Sequence, residues 1–498
     1  MKMADTFFTT RFGNVLLLTV LTLVAAVSYG STIFRYPLVD YDEATYAKVV
    51  VDTMKSGDIT TFKLGSRDWF EKPPLYLWLA VGSTKMFGLK DFAFRVPSVL
   101  ASVVCLLLVF LILQELTRSP VIGAVGFLTL LFTPPFFVFA REARLDSSVI
   151  MAILTALFFY LKGVREQKYL FWIFPAIALG FLFKSVIVLL AGPILCMYAV
   201  ASGEWRWLKS GYLWAGLFAS FVVIAPWHIL QSIRFGTSFW DAYLVQQVFH
   251  RATSTLTGTN NYYDYISIIW TYYQPWLWVI VAVLFSMTAA LFSKQVRSVI
   301  SWPALLPPLL SASFILIIFT LARTHLSTYI MPMYPFLAMA IALAAHQMSA
   351  RLGRGMYFVL AVFIALVGVG AFRSFQLLNE TVLPFHAEEK EVGQIYQKHN
   401  SQQAPLYALD WNMLETLSYY AGTTTQYLDP VTGSNTILKA PFYLVTNTLA
   451  MRHFLENNGD LLPEYMGRLQ SGFIGSSLIL LYSNQDTRLP VFDRKYVY

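Results

Sequence analysis

The chain has 498 residues, of which 57% are hydrophobic and 13% are charged, and its mean hydropathy is +0.56. Soluble domains carry about 25% charged residues, so this composition excludes an ordinary soluble protein and predicts that much of the chain faces lipid. The formal net charge of +8 comes from Lys and Arg residues scattered between apolar runs. That scatter argues against nucleic acid binding and favours a role in membrane topology.

Apolar runs long enough to cross a bilayer, about 20 residues each, recur over the first three quarters of the chain. The first run follows Lys2 and Arg11 and is longer than the core of a typical signal peptide, which favours an uncleaved first helix. The runs predict about eleven transmembrane helices, and at most thirteen, near residues 14–33, 92–114, 119–140, 147–162, 169–184, 186–203, 211–232, 265–292, 301–322, 327–346 and 356–375.

The charges between these runs predict the topology, because short cytoplasmic connections are enriched in Lys and Arg. If the N-terminus is cytoplasmic, every inside connection carries a cation: Lys2 and Arg11; Arg118; Lys162, Arg165 and Lys168; Arg206 and Lys209; Lys294 and Arg297; Arg351 and Arg354. The outer side then holds a long loop (34–91), a medium loop (233–264) and all residues after about 375. The apolar stretch 74–88 is too short to cross and is expected to be an interfacial helix.

The composition shifts after about residue 375. "FHAEEKEVGQIYQKHN" predicts an amphipathic helix, "PLYALDW" and "PFYLVTN" predict strands, and "TLAMRHFLENNGD" predicts a helix that ends at Gly459. The sequence therefore predicts a transmembrane domain over 1–375, which includes the loop 34–91, and a small extracytoplasmic α/β domain over 376–498.

Polar residues concentrate in the segments that we place on the outer side. The outer segments contribute Asp42, Glu43, Tyr46, Glu71, Lys72, Arg141, Arg144, Asp146, Lys184, His228, Arg234, Arg251, Arg323, His325 and Tyr329. Helix capping at Asp40, Glu43 and Asp146, and snorkelling of Lys184, explain some of these residues individually. Because polar groups at membrane depth are expensive, their convergence on one side predicts a functional cavity.

Basic residues beside a carboxylate can hold a phosphate leaving group while the carboxylate accepts a proton from a hydroxyl nucleophile. Arg144 and Arg251 are expected to neutralise such a phosphate. The sequence contains no GxxxxGK[ST] nucleotide loop, and a site on the outer side meets no cytoplasmic nucleotide. A lipid-linked donor fits better, because its tail can enter sideways from the bilayer.

Five segments carry a family resemblance: "DEATYAKVVVDTMKSGD", "FEKPPLYLW", "FRVPS", "APWH" and "HLSTYIMPMYP". They resemble the polyprenyl-phosphate-sugar-dependent GT-C glycosyltransferases, in particular the bacterial lipid A aminoarabinose transferases and their protein-mannosyltransferase-like relatives. The resemblance covers about residues 12–345. It implies an α-helical polytopic GT-C fold in the plasma (inner) membrane, a small C-terminal α/β domain and inverting sugar transfer from a polyprenyl-phosphate donor.

The resemblance also implies roles for single residues. Asp42 matches the catalytic carboxylate, the base for the acceptor hydroxyl, with Glu43 as its usual neighbour. Asp146 matches a second acidic residue on the outer face. The residues that match positions near the donor phosphate are Tyr46, Lys72 and Tyr329.

Glu71 and His228 match positions that hold zinc in some relatives. Two protein ligands would make an incomplete zinc site. We therefore expect that no cofactor is required and that any zinc bound here is structural. Three departures from the family pattern, Thr45 for Arg, Trp69 for Tyr and His325 for Lys, leave the sugar and the acceptor open.

Two other classes of function compete with a glycosyltransferase acting on lipid A, another glycolipid, a glycan or an exported protein. A transporter or flippase of a lipid-linked substrate would place ionisable residues near the bilayer midplane and be built from repeated halves, which the sequence does not display. A membrane scaffold serving the C-terminal domain would leave the acidic cluster of the first outer loop unexplained.

Overall fold

The computed structural model describes residues 8–39, 41–254, 261, 263–297, 301–349, 356–382, 384–400, 403–409, 414–428, 437–439, 441–447, 470–474, 478–483 and 487–488. Asp40 and the helix predicted over 448–460 lie outside these residues. The chain forms two compact units. The transmembrane unit comprises Met1–Phe34 and Phe70–Asn379, and the α/β unit comprises Arg35–Trp69 and Glu380–Tyr498.

The first half of the chain contains, in order, α1 (Arg11–Ile33), α2 (Asp42–Ser56), β1 (Phe62–Leu64), β2 (Arg67–Trp69), α3 (Leu75–Phe87), α4 (Asp91–Thr117), α5 (Pro120–Leu131), α6 (Pro134–Ala140), α7 (Asp146–Gly163), α8 (Ile173–Lys184), α9 (Ala191–Ser202), α10 (Gly211–Phe235), α11 (Thr237–Trp240), a π-helix (Asp241–His250) and α12 (Arg251–Thr253). Short 3-10 helices cover Gln167–Trp172, Ser185–Leu190 and Arg206–Lys209.

The remaining elements are α13 (Asp264–Tyr272), α14 (Trp276–Phe292), α15 (Lys294–Arg297), α16 (Trp302–Leu321), a 3-10 helix (Ser327–Met333), α17 (Tyr334–Ser349), α18 (Met356–Val382), α19 (Pro384–His399), β3 (Leu406–Leu409), α20 (Leu414–Ala421), β4 (Gln426–Leu428), β5 (Ile437–Leu438), β6 (Phe442–Asn447), β7 (Gln470–Ile474), β8 (Leu478–Ser483) and β9 (Thr487–Arg488).

Among the described residues, eight helical segments are long and apolar enough to cross a membrane, and ten if two bent pairs each count as one span. The bent pairs are α5 with α6 and α13 with α14, at 73° and 108°. These ten segments cover all eleven predicted runs, because the runs 169–184 and 186–203 fall in one helical stretch, Gln167–Ser202. The polytopic helical fold is therefore confirmed.

The stretch Gln167–Ser202 reverses direction at Ser185, where the backbone has a φ of 57°. Lys184 contacts Asp146 at the start of α7, and the hydroxyl of Ser202 lies 3.3 Å from that of Tyr160 near its end. Because those two positions of α7 are about 21 Å apart, the chain rises to Lys184 and then returns. The stretch thus makes two passes, as the two separate runs predicted.

The helix α3 confirms that residues 74–88 do not form a full span. It has 13 residues and a length of about 20 Å, shorter than the hydrocarbon core of a bilayer. It is fixed to α4 by the Tyr76 hydroxyl, which donates to the carbonyl oxygen of Phe94 at 2.9 Å, and by the Ser83 hydroxyl, which donates to Ala93 at 2.6 Å.

Helix α10 packs closely on the 3-10 helix Gln167–Trp172, and Gly216 makes this possible. A Cβ at position 216 would overlap the carbonyl oxygen of Phe171, a backbone atom that cannot rotate away. Gly216→Ala is therefore expected to lower the unfolding temperature, at a cost of about 1–3 kcal/mol for overpacking. Thermal unfolding of the detergent-purified protein measures this. Gly211→Ala on the same helix meets nothing within 4 Å and should leave stability unchanged or slightly raised.

The α/β unit contains a five-stranded sheet in the order β4-β3-β6-β8-β7. β3 pairs in parallel with β4 and β6, and β8 pairs antiparallel with β6 and β7. The helix and the two strands predicted from "FHAEEKEVGQIYQKHN", "PLYALDW" and "PFYLVTN" are confirmed as α19, β3 and β6. A buried apolar cluster between helix and sheet includes Val392, Leu406, Val445 and Leu480.

Arg35–Trp69, the first part of the loop 34–91, belongs to the α/β unit, whereas the sequence predicted the whole loop as part of the transmembrane domain. Helix α2 packs against α20, and the backbone N–H of Leu38 donates to the Tyr420 hydroxyl at 2.8 Å. This pairing joins residues 382 positions apart and therefore left no local signal in the sequence. Helix α2 ends as expected at Gly57, which has a φ of 78°.

Candidate functional site

The centre of the candidate site is the carboxylate of Asp146, the first residue of α7. Its side chain is 7% exposed, and its Oδ1 lies 2.5 Å from Lys184 Nζ. Its Oδ2 lies 3.4 Å from Arg144 Nε. The guanidinium of Arg144 also donates through Nη2 to Thr328 Oγ1 at 3.3 Å. A buried carboxylate is thus held between two cations that come from different parts of the chain.

The turn before α7 is fixed by Ser98 on α4. The Ser98 hydroxyl accepts from the backbone N–H of Arg144 at 3.0 Å and donates to its carbonyl at 2.7 Å. The Tyr76 hydroxyl lies 3.0 Å from the same Ser98 oxygen. Helices α3 and α4 therefore fix the backbone from which the Arg144 side chain extends.

Tyr329 lies on the other side of Lys184. The ammonium group of Lys184 is 5.9 Å from the centre of the Tyr329 ring, within the range of a cation–π contact. The hydroxyl of Tyr329 accepts from Arg251 Nη1 at 3.4 Å. A narrow cavity here is lined by the polar side chains Asp146, Lys184 and Tyr329 and by the apolar ones Val149, Ile187, Phe319 and Pro332.

The segment before Tyr329 is attached to the segment that carries Arg251. The backbone N–H of Arg323 donates to Ala252 at 3.1 Å, and the Thr324 hydroxyl donates to Ser254 at 2.9 Å. Nδ1 of His325 lies 3.0 Å from an oxygen of Asp264 on α13. These bonds hold Arg251 opposite the tyrosine.

Lys72 is fixed by the same helical segment that carries Arg251. Its ammonium group donates to Gln247 Oε1 at 2.9 Å. Gln247 and Arg251 are four residues apart, about one helical turn, so one segment positions both cations. The structure therefore brings together five of the predicted residues in the transmembrane unit: Lys72, Arg144, Asp146, Arg251 and Tyr329.

Two buried carboxylates of this cluster, Glu142 and Asp146, each contact two cations. Glu142 lies 3.8 Å from Arg144 Nη1 and 3.9 Å from Arg141 Nη2, and its side chain is buried. Lys184 and Arg144 also contact Asp146, and Arg251 contacts the Tyr329 hydroxyl. A concentration of cationic side chains beside a cavity is suited to an anionic ligand.

His228 is engaged by groups that leave it poorly suited to zinc. Its Nδ1 lies 2.8 Å from the carbonyl oxygen of Ile224, which requires a proton on that nitrogen, and its Nε2 lies 3.2 Å from the Tyr243 hydroxyl. Burial raises the pKa of the Tyr243 phenol well above its ordinary value, so the hydroxyl keeps the proton that it donates to Nε2. No cluster of three His, Cys, Asp or Glu side chains that could hold a metal ion occurs within the described part of the chain. With both ring nitrogens engaged, His228 does not fit a zinc site, and no step proposed for this protein involves a metal ion.

The α/β unit carries Asp42, Glu43 and Tyr46 on α2. Glu43 is 1% exposed, and its Oε2 accepts from the backbone N–H of Val39 at 2.8 Å, so it orders the entry to the helix. Tyr46 is buried with its ring edge-on to Trp69, at a centroid distance of 6.1 Å. Asp42 is half-buried in the first helical turn. Asp42 is the most exposed of the three.

Three residues of the transmembrane cluster were not predicted at all: Glu142, Gln247 and Thr328. Arg141 and Lys184 were predicted only as members of the outer polar group, without a role of their own. Lys184 ends an apolar run, a position where a lysine commonly extends to the interface without further function. The sequence did predict that Lys184 lies on the same side of the membrane as Asp146. Gln247 is a neutral and common residue type, and nothing in its local sequence distinguishes it. Thr328 precedes Tyr329 within the motif "HLSTYIMPMYP", but the motif alone assigned it no role.

The fold is similar to those of two solved transferases. The structure matches ArnT from Cupriavidus metallidurans, solved bound to undecaprenyl phosphate, with a TM-score of 0.72 and 18% identity over 95% of this chain and 98% of that chain. It matches the oligosaccharyltransferase of Archaeoglobus fulgidus, solved with Zn and sulfate, with a TM-score of 0.54 and 11% identity over 94% of this chain and 73% of that chain. The predicted GT-C fold is confirmed.

The sequence comparisons point to the same group. Residues 71–230 match the family described as dolichyl-phosphate-mannose-protein mannosyltransferase. The undecaprenyl phosphate-alpha-4-amino-4-deoxy-L-arabinose arabinosyl transferase of Pseudomonas aeruginosa is 27% identical over 364 residues, which are 70% of this chain and 63% of that protein. The chain thus spans less than two thirds of that relative. It is a multi-pass membrane protein similar to aminoarabinose transferases, as its motifs predicted.

Proposed function

We propose that the protein is a membrane glycosyltransferase that moves a sugar from a polyprenyl-phosphate donor to an acceptor, with inversion at the anomeric carbon. The observation that carries this proposal is the buried cluster in which Lys184 and Arg144 contact Asp146, beside Tyr329 and Arg251. Such a cluster suits a phosphate whose negative charge grows during the reaction.

The reaction follows from the chemistry of the donor. The acceptor oxygen attacks the anomeric carbon, a new C–O bond forms, and the bond between that carbon and the phosphate oxygen breaks. The acceptor proton goes to a carboxylate, a role that the resemblance gives to Asp42. The donor is a phosphodiester with one negative charge, and the leaving polyprenyl phosphate is a monoester with a charge approaching −2. The basic cluster lowers the barrier because it stabilises the charge that develops on the leaving group.

The cluster supplies three groups for that phosphate: the guanidinium of Arg144, the ammonium of Lys184 and the guanidinium of Arg251. Tyr329 contributes a hydroxyl beside Arg251. Asp146 positions Arg144 and Lys184, because its two oxygens contact both. Lys72 acts as a further phosphate contact through an ammonium group that Gln247 orients.

We also propose an orientation in the membrane, a donor and an acceptor. The distribution of Lys and Arg supports a cytoplasmic N-terminus, an extracytoplasmic α/β unit and a site on the outer side of the inner membrane. The name of the Pseudomonas relative makes undecaprenyl phosphate-linked 4-amino-4-deoxy-L-arabinose the first donor to test. The first acceptor to test is lipid A, and glycolipids, glycans and exported proteins follow.

Purified protein in proteoliposomes tests the activity directly. Radiolabelled undecaprenyl phosphate-aminoarabinose and lipid A are supplied together, and covalent label in lipid A and released undecaprenyl phosphate are measured. We expect the two products in equal amounts. Label that crosses the bilayer while remaining on its carrier would instead support the transporter, although Asp146 lies at the end of a helix rather than near the bilayer midplane.

Lys72→Ala is expected to raise the KM for the donor by about tenfold and to change kcat less. One hydrogen bond to a charged group is worth about 1.5–3 kcal/mol, and tenfold in affinity corresponds to about 1.4 kcal/mol. Initial rates at varied donor concentration measure both constants. Lys90→Ala, an exposed lysine of the same unit, is the matched control. An unchanged KM in the Lys72 variant would remove that lysine from the phosphate site.

A further inference from the structure

A second charged cluster lies at the opposite end of α7 from Asp146. Helix α7 has 18 residues and is about 27 Å long, so its two ends lie at opposite faces of the membrane. At the far end, the side chain of Glu115 from α4 is 9% exposed. It lies 2.5 Å from Arg165 Nη1, 3.3 Å from Lys162 Nζ and 3.6 Å from Arg118 Nη2.

Within the described residues, these contacts set one carboxylate against three cations, a difference of two positive charges. The cationic side chains remain accessible, with exposed fractions of 66% for Arg118, 38% for Lys162 and 49% for Arg165. One cation would be enough to neutralise Glu115 and to link the helix ends by an ion pair. The other two give this end of the helices a fixed positive surface that Glu115 holds in place.

Arg118 adds an independent observation. It follows the last residue of α4 in the left-handed conformation, with a φ of 59° and a ψ of 16°. Glycine is the usual residue there, because a side chain makes this backbone conformation unfavourable. The residue at this position is nevertheless an arginine, and its guanidinium belongs to the charged cluster. A residue held in an unfavourable conformation commonly marks a functional site.

The cluster opens into a pocket of about 400 Å³. Glu115, Arg118, Lys162 and Gln114 line one part of it, and Leu111, Phe158 and Thr9 line the rest. The ammonium group of Lys162 is 5.9 Å from the centre of the Phe158 ring, so charged and apolar surfaces meet within the pocket. This combination matches a molecule that has an anionic group next to a hydrocarbon chain.

We propose that this pocket binds the phosphodiester headgroup of an anionic phospholipid in the leaflet opposite the Asp146 site. The guanidinium of Arg118 and the ammonium of Lys162 contact the phosphate, and Leu111 and Phe158 contact the start of an acyl chain. A zwitterionic lipid would bring its own cation against the positive surface, which disfavours it. The proposal does not depend on the sugar transfer proposed above.

Thermal unfolding of the full-length, delipidated protein in neutral detergent tests the proposal. Phosphatidylglycerol, phosphatidylcholine and inorganic phosphate are added in turn. A ligand that binds only the folded state raises the unfolding temperature. We expect phosphatidylglycerol to do so and the other two to have little effect. Stabilisation by inorganic phosphate equal to that by phosphatidylglycerol would assign the pocket to a soluble anion and overturn the lipid proposal.

The informative variants are Arg118→Gly and Arg118→Gly/Lys162→Gln. Glycine suits the left-handed position, so Arg118→Gly should be as stable as the wild type, or more stable, without added lipid. Its stabilisation by phosphatidylglycerol should fall to roughly half or less. Lys168→Gln removes an exposed cation that pairs with Glu166 outside the pocket and should respond like the wild type. Equal stabilisation of the wild type and the double variant by phosphatidylglycerol would refute the proposal.

Discussion

Lys184→Gln is expected to lower the rate of sugar transfer by about 10²–10³-fold, the range observed when one preorganised group facing a developing negative charge is removed. Lys184 lines the narrow cavity, contacts Asp146 and lies over the ring of Tyr329. These contacts hold the ammonium group in position before the reaction begins. It therefore stabilises the leaving phosphate without any reorganisation of the site. Glutamine keeps much of the length and the polarity of the side chain but loses the charge.

The measurement is kcat for release of undecaprenyl phosphate in proteoliposomes. Lys168→Gln makes the same chemical change at the other end of the same rising pass, on an exposed residue, and should leave kcat unchanged. The double variant Asp146→Asn/Lys184→Gln should be little slower than Lys184→Gln alone, because Asp146 acts by positioning the lysine and Arg144. A Lys184→Gln enzyme within about threefold of the wild type would remove Lys184 from the phosphate site, because a lost preorganised charge costs far more.

The two charged clusters at the ends of α7 both enclose a buried carboxylate among several cations. In each, the carboxylate contacts and orients cations that line a cavity. They differ in surroundings. Asp146 faces a narrow cavity with Tyr329 and Phe319, whereas Glu115 faces a wider pocket between helix ends. The first is suited to chemistry on a phosphate and the second to binding alone.

The transmembrane helices could be predicted because a span is a local property. Twenty consecutive apolar residues are visible in the sequence wherever they occur, and the cations between them indicate the order of crossing. The return at Ser185 is visible for the same reason, since Lys184 interrupts the apolar run. In the α/β unit, α19, β3 and β6 could be predicted because each shows its own periodicity.

The contacts within the site could not be predicted from local pattern. Lys184 and Asp146 are 38 residues apart and meet because of the way in which the first pass of Gln167–Ser202 packs against α7. Lys72 and Gln247 are separated by 175 residues. For Lys72, Asp146 and Tyr329 the family motif supplied what spacing does not. Lys184 and Gln247 lie outside the motifs, so the resemblance gave no indication of them.

His325 illustrates how a departure from the family pattern can be interpreted once contacts are known. It stands where relatives commonly have lysine, which suggested an altered substrate contact. The structure instead places its two ring nitrogens against Asp264 and against the backbone carbonyls of Thr320 and Ala322. In this chain the position therefore anchors the segment that leads to Tyr329.

Asp42→Asn is expected to lower kcat by about 10²–10⁴-fold, the usual contribution of a general base. The role of base comes from the resemblance, and the position is compatible with it, because Asp42 is half-buried in the first turn of α2. Asparagine has nearly the same shape and is favoured at helix N-termini, so the helix should form normally. An amide side chain cannot take the proton from the hydroxyl group of the acceptor substrate. The affinity for the donor should be unchanged.

Single-turnover transfer and donor binding to the purified variant separate these effects. Asp68→Asn is the matched control: it lies in the same unit, in an exposed pair with Lys63 at 2.6 Å, and such pairs contribute about 0–1 kcal/mol to stability. It should retain the full rate. If Asp42→Asn binds donor normally and transfers sugar within a few-fold of the wild-type rate, another group accepts the proton. In that case Asp146, with both oxygens already engaged by Lys184 and Arg144, would be an unsuitable substitute, and the base would have to be sought on the acceptor itself.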